Sequence, residues 1–201
     1  MFTIVEAAGW PIWLLIIASV VAVALITERL MFLRSKHVSP PELLNEVVAE
    51  LKQRGVSDAM LSRLNAGSPL GRVFAAGLRN IKSPQNVMKE SIEEAGRSAT
   101  HELERFLTTL GTIASMSPML GLFGTVVGMI EIFGAQTATG NTPAILAHGI
   151  SVALYNTAFG LIVAVPSMAF YRHFRATVDS LTIEMEQQAI KLVEIVHGER
   201  S

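Results

Sequence analysis

The chain contains no cysteine. Disulfides, thiol nucleophiles and thiolate-ligated zinc or iron–sulfur sites are therefore excluded. The compartment stays open, because a cysteine-free chain suits any redox poise. Charge is scarce as well: 16% of the 201 residues are charged, where a soluble domain carries about a quarter. The formal net charge of −1 leaves no electrostatic footprint for nucleic acid. Five histidines, at 37, 101, 148, 173 and 197, are scattered without an i,i+4 pair beside a carboxylate, so neither a metal site nor a cofactor is expected. No Ser/His/Asp arrangement or nucleophile elbow is present, and titratable groups converge nowhere. The chain is not read as an enzyme.

Apolar length is what the sequence has in abundance. Half of its residues are hydrophobic and the mean hydropathy is +0.44. The first long run, Ala7 to Thr27, is closed by Glu28-Arg29 and meets the roughly 20 residues that a spanning helix needs. Trp10 and Trp13, the only tryptophans, stand at its start, where an interfacial belt places them. Ala22-Val-Ala24 imitates a signal-peptide cleavage site. No Lys or Arg precedes Arg29, however, so the basic n-region is missing and the run is read as a retained span.

From Phe106 to Tyr171 there is no Lys, Arg or Asp, and Glu131 is the only formal charge. This stretch is too long for one span and suits two, joined by the polar, uncharged Ala135–Pro143 segment. The expectation is an all-α integral membrane protein with transmembrane helices over 9–33, 106–134 and 145–171. Residues 1–8 and the 135–144 turn lie outside these spans on one side; the 34–105 helical segment and the 172–201 helical tail lie on the other. Basic residues occupy only the second side, from Arg29 and Arg34 through Arg105 and from Arg172 onward. The positive-inside rule then puts the N-terminus and the 135–144 turn in the periplasm and the other segments in the cytoplasm.

The segments outside the spans read as helices. Ser39-Pro-Pro-Glu42 reads as an N-cap with prolines in the first turn, ahead of apolar Leu43, Leu44, Val47, Val48 and Leu51, and Gly55 ends that helix. Ser57-Asp58 and Ser68-Pro69 restart shorter ones. Ser83-Pro84 opens a helix that is read as uninterrupted by a breaker before the second span, which predicts one helix of about 75 Å from Pro84 to Phe133. A bilayer core is only ~30 Å thick, so this span is expected to extend into the cytoplasm. The third does likewise: Phe174, Val178, Leu181, Met185, Ala189 and Leu192 keep a helical period, packed against the Pro84 helix or another subunit.

Within the spans, Gly121-Leu-Phe-Gly-Thr-Val-Val-Gly128 imitates a phosphate loop but lacks the Gly-Lys-Ser/Thr ending. Helix packing accounts for it better, because small residues let helix backbones approach where lipid offers no hydrophobic drive. Gly124 and Gly128 are four apart, as are Gly111 and Ser115; Gly149, Ala153 and Thr157 continue through Gly160 and Ala164 on the third span. Thr125 and Thr157 fall within roughly a turn of each other in height if the two spans are antiparallel. Two hydroxyls there suit a polar path for an ion, although each could instead bond its own i−4 carbonyl. Ser151, Asn156 and Glu131 are secondary candidates for such a path. Asn156 also reads as a helix-to-helix bond, and Glu131 as an interfacial acid. Pro118 and Pro166 each remove a backbone hydrogen bond and can bend their helices.

Two segments resemble the ExbB/TolQ/MotA family of ion-driven motor subunits: Pro118-Met-Leu-Gly-Leu-Phe-Gly-Thr-Val-Val-Gly-Met129 and Gly149-Ile-Ser-Val-Ala-Leu-Tyr-Asn-Thr-Ala-Phe-Gly-Leu-Ile-Val-Ala-Val-Pro166. Gly9-Trp-Pro11 and Glu28-Arg29 resemble the short ExbB branch. The resemblance implies a homopentamer around a central lumen in a bacterial inner membrane. It also implies a single-span ExbD/TolR-like partner carrying a membrane aspartate, and a TonB- or TolA-like protein that receives the work for outer-membrane transport. On this mapping Thr125 and Thr157 face the partner aspartate, and Pro118 and Pro166 match prolines associated with motion. One position departs: Val152 stands where ExbB and TolQ proteins typically carry a glutamate, which leaves H⁺ and Na⁺ both open as the coupling ion. A TolQ-like role in envelope integrity and a non-conducting membrane scaffold are the alternatives.

Overall fold

A computed structural model describes residues 9–134 and 143–198, of which 144, 145 and 148 are described by their backbone only. Residues 1–8 and most of the 135–144 turn, both expected to be periplasmic, and the last three residues of the tail lie outside the described residues. All regular structure among the described residues is helical: α1 (Ile12–Phe32), α2 (Ser35–Val38), α3 (Leu43–Arg54), α4 (Asp58–Ala66), α5 (Pro69–Arg79), α6 (Gln85–Glu104), α7 (Leu107–Gly134) and α8 (Pro143–Val196). Three stretches are long and apolar enough to cross a membrane: Ile12–Phe32, Gln85–Gly134 and Gly149–Val196. The chain divides into two compact units. One holds Met1–Glu28 with Phe106–His173, the other Arg29–Arg105 with Phe174–Ser201.

The first unit differs from a water-soluble fold in exposing large apolar side chains. Many of its buried positions are small or polar, Ala114, Ser117, Gly121, Gly124, Ala153, Asn156 and Ser167, beside the larger Ile12, Leu15, Leu107 and Leu110. Its exposed positions are large and apolar, among them Ile17, Val20, Met119, Ile130 and Ile162. Close backbone packing inside and hydrocarbon outside is the arrangement that lipid favours. Trp10 meets the edge of Phe123 with ring centroids 5.9 Å apart.

The second unit has a conventional core centred on α5, in which Leu70, Phe74, Ala75 and Leu78 are fully buried. Ser57 and Ser68 cap their helices as the sequence implies: each Oγ accepts a backbone N–H, from Met60 at 3.2 Å and from Gly71 at 3.1 Å. A Cβ at Gly71 would stand 2.7 Å from the Leu64 carbonyl oxygen, which is why α4 and α5 can pack so closely. The C-terminal part of α8 adds Phe174, Val178, Leu181, Met185, Ala189 and Leu192 to this core. It meets α6 through Thr182 and Thr100, 3.4 Å apart, and Arg175 and Glu104 at 3.2 Å. Phe74→Ala is expected to cost this unit about 3–5 kcal/mol, visible as an earlier loss of helical circular dichroism on heating.

Two local expectations are corrected. Ser39 does not cap the helix after it. Its Oγ donates to Glu184 Oε1 at 2.9 Å and its N–H closes α2 on Ser35, so the hydroxyl is already engaged and α3 begins only at Leu43, with Glu42 at its N-cap. The helix expected from Pro84 to Phe133 is in fact two helices. Arg105 turns extended (φ −50, ψ 137) and Phe106 enters the left-handed region (φ 66), the only non-glycine among the described residues to do so. A bulky residue there costs roughly 1–2 kcal/mol, and no glycine or proline marks the place. By contrast α7 and α8 run through Pro118 and Pro166 without interruption.

Candidate functional site

The candidate site lies in the first unit, where α7 and the N-terminal part of α8 run antiparallel. Their contacts step evenly, one residue number rising as the other falls, and glycine fixes nearly every step. A Cβ on Gly160 would stand 2.6 Å from the Ser117 carbonyl oxygen and 3.1 Å from Gly121 Cα. One on Gly121 would meet the Asn156 carbonyl oxygen at 2.7 Å, and one on Gly124 the Asn156 side chain at the same distance. Further along, a Cβ on Gly128 would stand 3.1 Å from Ala153 Cβ, and one on Gly149 2.7 Å from Ile132 Cδ1. At the other end a Cβ on Gly111 would stand 3.1 Å from the Tyr171 ring. Several of these neighbours are backbone atoms, which cannot swing aside as a side-chain tip can.

This close approach brings Thr125 and Thr157 into direct contact, Oγ1 to Oγ1, at 2.6 Å. Thr125 Oγ1 also lies 3.1 Å from its own i−4 carbonyl, Gly121, and 3.0 Å from the carbonyl of Ala153. Ala153 is the i−4 position of Thr157, so the carbonyl each threonine would ordinarily use is within reach of one hydroxyl. A hydroxyl donates a single hydrogen. Thr125 can therefore donate to a carbonyl only while accepting from Thr157, or donate to Thr157 while that hydroxyl turns elsewhere. The pair is a two-member hydrogen-bond chain that can run in either direction, and both residues remain half-buried rather than sealed.

Asn156 packs beside the pair, 1% exposed and seated against Gly124. The other candidates stand apart. Ser151 is exposed and bonds its own helix at Ala147, 2.9 Å away; Glu131 is exposed. Ser115, expected to repeat the packing motif with Gly111, also faces outward and bonds the Gly111 and Thr112 carbonyls at 3.0 Å. Val152 is half-buried next to Ala153 and supplies no acid.

Two residues that periodicity passes over are buried next to the prolines. Ser117 Oγ donates to Ile113 and Ser167 Oγ to Val163, each at 2.7 Å. Such back-bonding serines bend helices, and the Ser117-Pro118 and Pro166-Ser167 dipeptides carry that signal in the sequence. Among the described residues no group of three or more His, Cys, Asp or Glu could hold a metal. A cavity of about 790 Å³ belongs to the second unit, between α6 and the C-terminal part of α8, with a mixed lining that includes Lys89, Ile92, Arg97, Met185 and Ile190.

Residues 65–187 match the model of the MotA/TolQ/ExbB proton channel family. The chain is 31% identical over 161 residues to an ExbB-like biopolymer transport protein of Synechocystis sp., covering 79% of this chain and 77% of that one. It is 34% identical over 171 residues to the biopolymer transport protein exbB1 of Vibrio cholerae, covering 82% and 74%. It is 30% identical over 185 residues to the Tol-Pal system protein TolQ of Pseudomonas aeruginosa, covering 83% and 80%.

Proposed function

The chain belongs to the MotA/TolQ/ExbB proton channel family, and on that premise we propose that it is the ion-conducting subunit of an ExbB–ExbD-type motor whose path runs past Thr125 and Thr157. Family membership makes it a multi-pass membrane protein of an inner-membrane family, a channel subunit and not an enzyme. The family in general works with ExbD/TolR-like and TonB/TolA-like partners. The observation that carries the reading is the 2.6 Å hydroxyl pair in a glycine-packed interior. The two stretches that form it, 107–134 and 143–173, hold a single acid, the exposed Glu131.

On this reading five copies enclose a lumen holding a single-span partner with a membrane aspartate. The hydroxyl pair offers that carboxylate a hydrogen bond, or passes it an ion, in each step. With Val152 in place of an acid, no carboxylate of this chain competes for the ion beside Ala153. Orientation follows the charge: the N-terminus and the 135–144 turn outside, residues 34–105 and 172–201 in the cytoplasm. Each charge that crosses releases about 2.3 kcal/mol per 100 mV, so work on a TonB-like protein needs several crossings and hence a cycling device. A TolQ-like role shares all of this and differs only in the protein that receives the work; the TolQ relative is as fully covered as the ExbB ones.

Reconstitution tests the proposal. Liposomes carrying the chain with its single-span partner, under an imposed H⁺ or Na⁺ gradient, should pass one of the two ions, and liposomes with the chain alone should pass neither. An assembled complex that passes neither ion would leave the scaffold reading in its place.

A further inference from the structure

Within the second unit, the C-terminal part of α8 has two distinct faces. One, including Val178, Leu181, Met185 and Leu192, is buried in the core. Of the positions exposed between 174 and 192, five are uncharged: Ala176, Ser180, Ile183, Gln187 and Ile190. They step by four, three, four and three, which aligns them as one ridge opposite the buried face. Ile183 is 55% exposed and Ile190 51%. Charged residues border the ridge, Asp179 and Glu186 on one side and Lys191 on the other. An uncharged stripe, apolar at every second step and flanked by charge, is the seam by which helices pair.

Beside this ridge, α6 and α8 enclose the groove of about 790 Å³. Ile92, Ala189 and Val193 give it an apolar lining, and Gly96 lies in it near the middle of α6. Nothing lies within 4 Å of a Cβ at Gly96, unlike the glycines between α7 and α8. A glycine inside a helix is destabilising relative to alanine, and no close packing within the chain calls for this one. The groove rim carries both signs, Lys89 and Arg97 from α6 and Glu186 from α8.

We propose that this groove receives the ridge of a second copy of the chain, and that Gly96 leaves room for its approach. The lengths agree: the ridge from Ala176 to Ile190 spans about 21 Å, and the α6 wall from Gln85 to Glu104 about 28 Å. The heights agree too. Thr182 meets Thr100 and Arg175 meets Glu104 within one chain, so Ile183 is level with the turn of α6 that begins at Gly96. A copy rotated about an axis along these helices keeps that level. Ridge and groove lie about a quarter turn apart around α8, so copies joined ridge to groove turn steadily in one sense and close into a small ring. Rims of mixed sign let identical copies meet without a like-charged field. The inference rests on the proposed function only in taking several copies to assemble; the ion and the threonine pair play no part in it.

Photo-cross-linking of the full-length, bilayer-reconstituted protein tests this assignment. The probe p-benzoylphenylalanine replaces Ile183, whose exposure keeps the core undisturbed; Gln187 is a second position for it. Chains grown on ¹⁴N and ¹⁵N are mixed before assembly, so a mixed-isotope adduct joins two copies. The expected adduct has twice the 21.7 kDa of one chain, and its cross-linked peptides map to residues 85–104. Adding Gly96→Leu should lower its yield roughly five- to a hundredfold by overfilling the groove. Helical circular dichroism should stay unchanged, because the new Cβ meets nothing in its own chain. An adduct with the single-span partner or with lipid in place of a second copy would overturn the proposal. So would the absence of any adduct, or an undiminished yield in Gly96→Leu. Partner-dependent ion flux decides the conduction reading separately, so either can fail while the other stands.

Discussion

Gly160→Val is expected to disassemble the membrane unit. The first atom of the new side chain would stand 2.6 Å from the Ser117 carbonyl oxygen and 3.1 Å from Gly121 Cα, and both are backbone. No rotamer change relieves contacts of that kind, so α7 and α8 must move apart along the segment that aligns Thr125 with Thr157. Overpacking of a tight interior costs about 1–3 kcal/mol per site. The branched valine should reach the upper end of that range, and alanine the lower. The outcome is read as loss of the oligomer peak in detergent for Gly160→Val and a lower thermal midpoint for Gly160→Ala. Gly134 is the control: nothing lies within 4 Å of its Cβ position, so Gly134→Ala should assemble normally.

The second large effect concerns conduction rather than assembly. Thr157→Val keeps the shape of the side chain and removes the hydroxyl that meets Thr125 at 2.6 Å. The oligomer should form, because Thr125 retains the Gly121 and Ala153 carbonyls as acceptors. An ion, or a partner carboxylate, loses one charge-assisted hydrogen bond of about 1.5–3 kcal/mol. At about 1.4 kcal/mol per tenfold, partner-dependent flux should fall roughly ten- to hundredfold. Thr125→Val should fall into the same range. The double variant should be little worse than either single one, because residues that act as a pair are not additive.

The sequence carries the three spans, since they rest on unbroken apolar length and a complete segregation of basic residues, both strong patterns. The antiparallel alignment of Thr125 and Thr157 is also legible, because depth in two helices follows from residue number alone. That the hydroxyls touch is not, since the last few ångströms depend on which glycines meet backbone and which meet side chain. Ser115 shows the limit. It has the same spacing from Gly111 that Gly128 has from Gly124, yet its face of α7 points away from α8, a difference that a small-residue motif does not encode. Ser39 departs from expectation for a related reason: local propensity is overridden by a distant partner, Glu184.

A hydroxyl at position 157 that carries the partner-dependent ion current is the centre of this account. The most direct measurement compares Thr157→Ser with Thr157→Val, each reconstituted with the same single-span partner under the same gradient. Serine restores the hydroxyl without the methyl, and valine keeps the methyl without the hydroxyl. Flux near wild type is expected for serine, and flux near the partner-free background for valine. Equal flux from the two variants, with both complexes assembled, would contradict that role and place the ion path elsewhere.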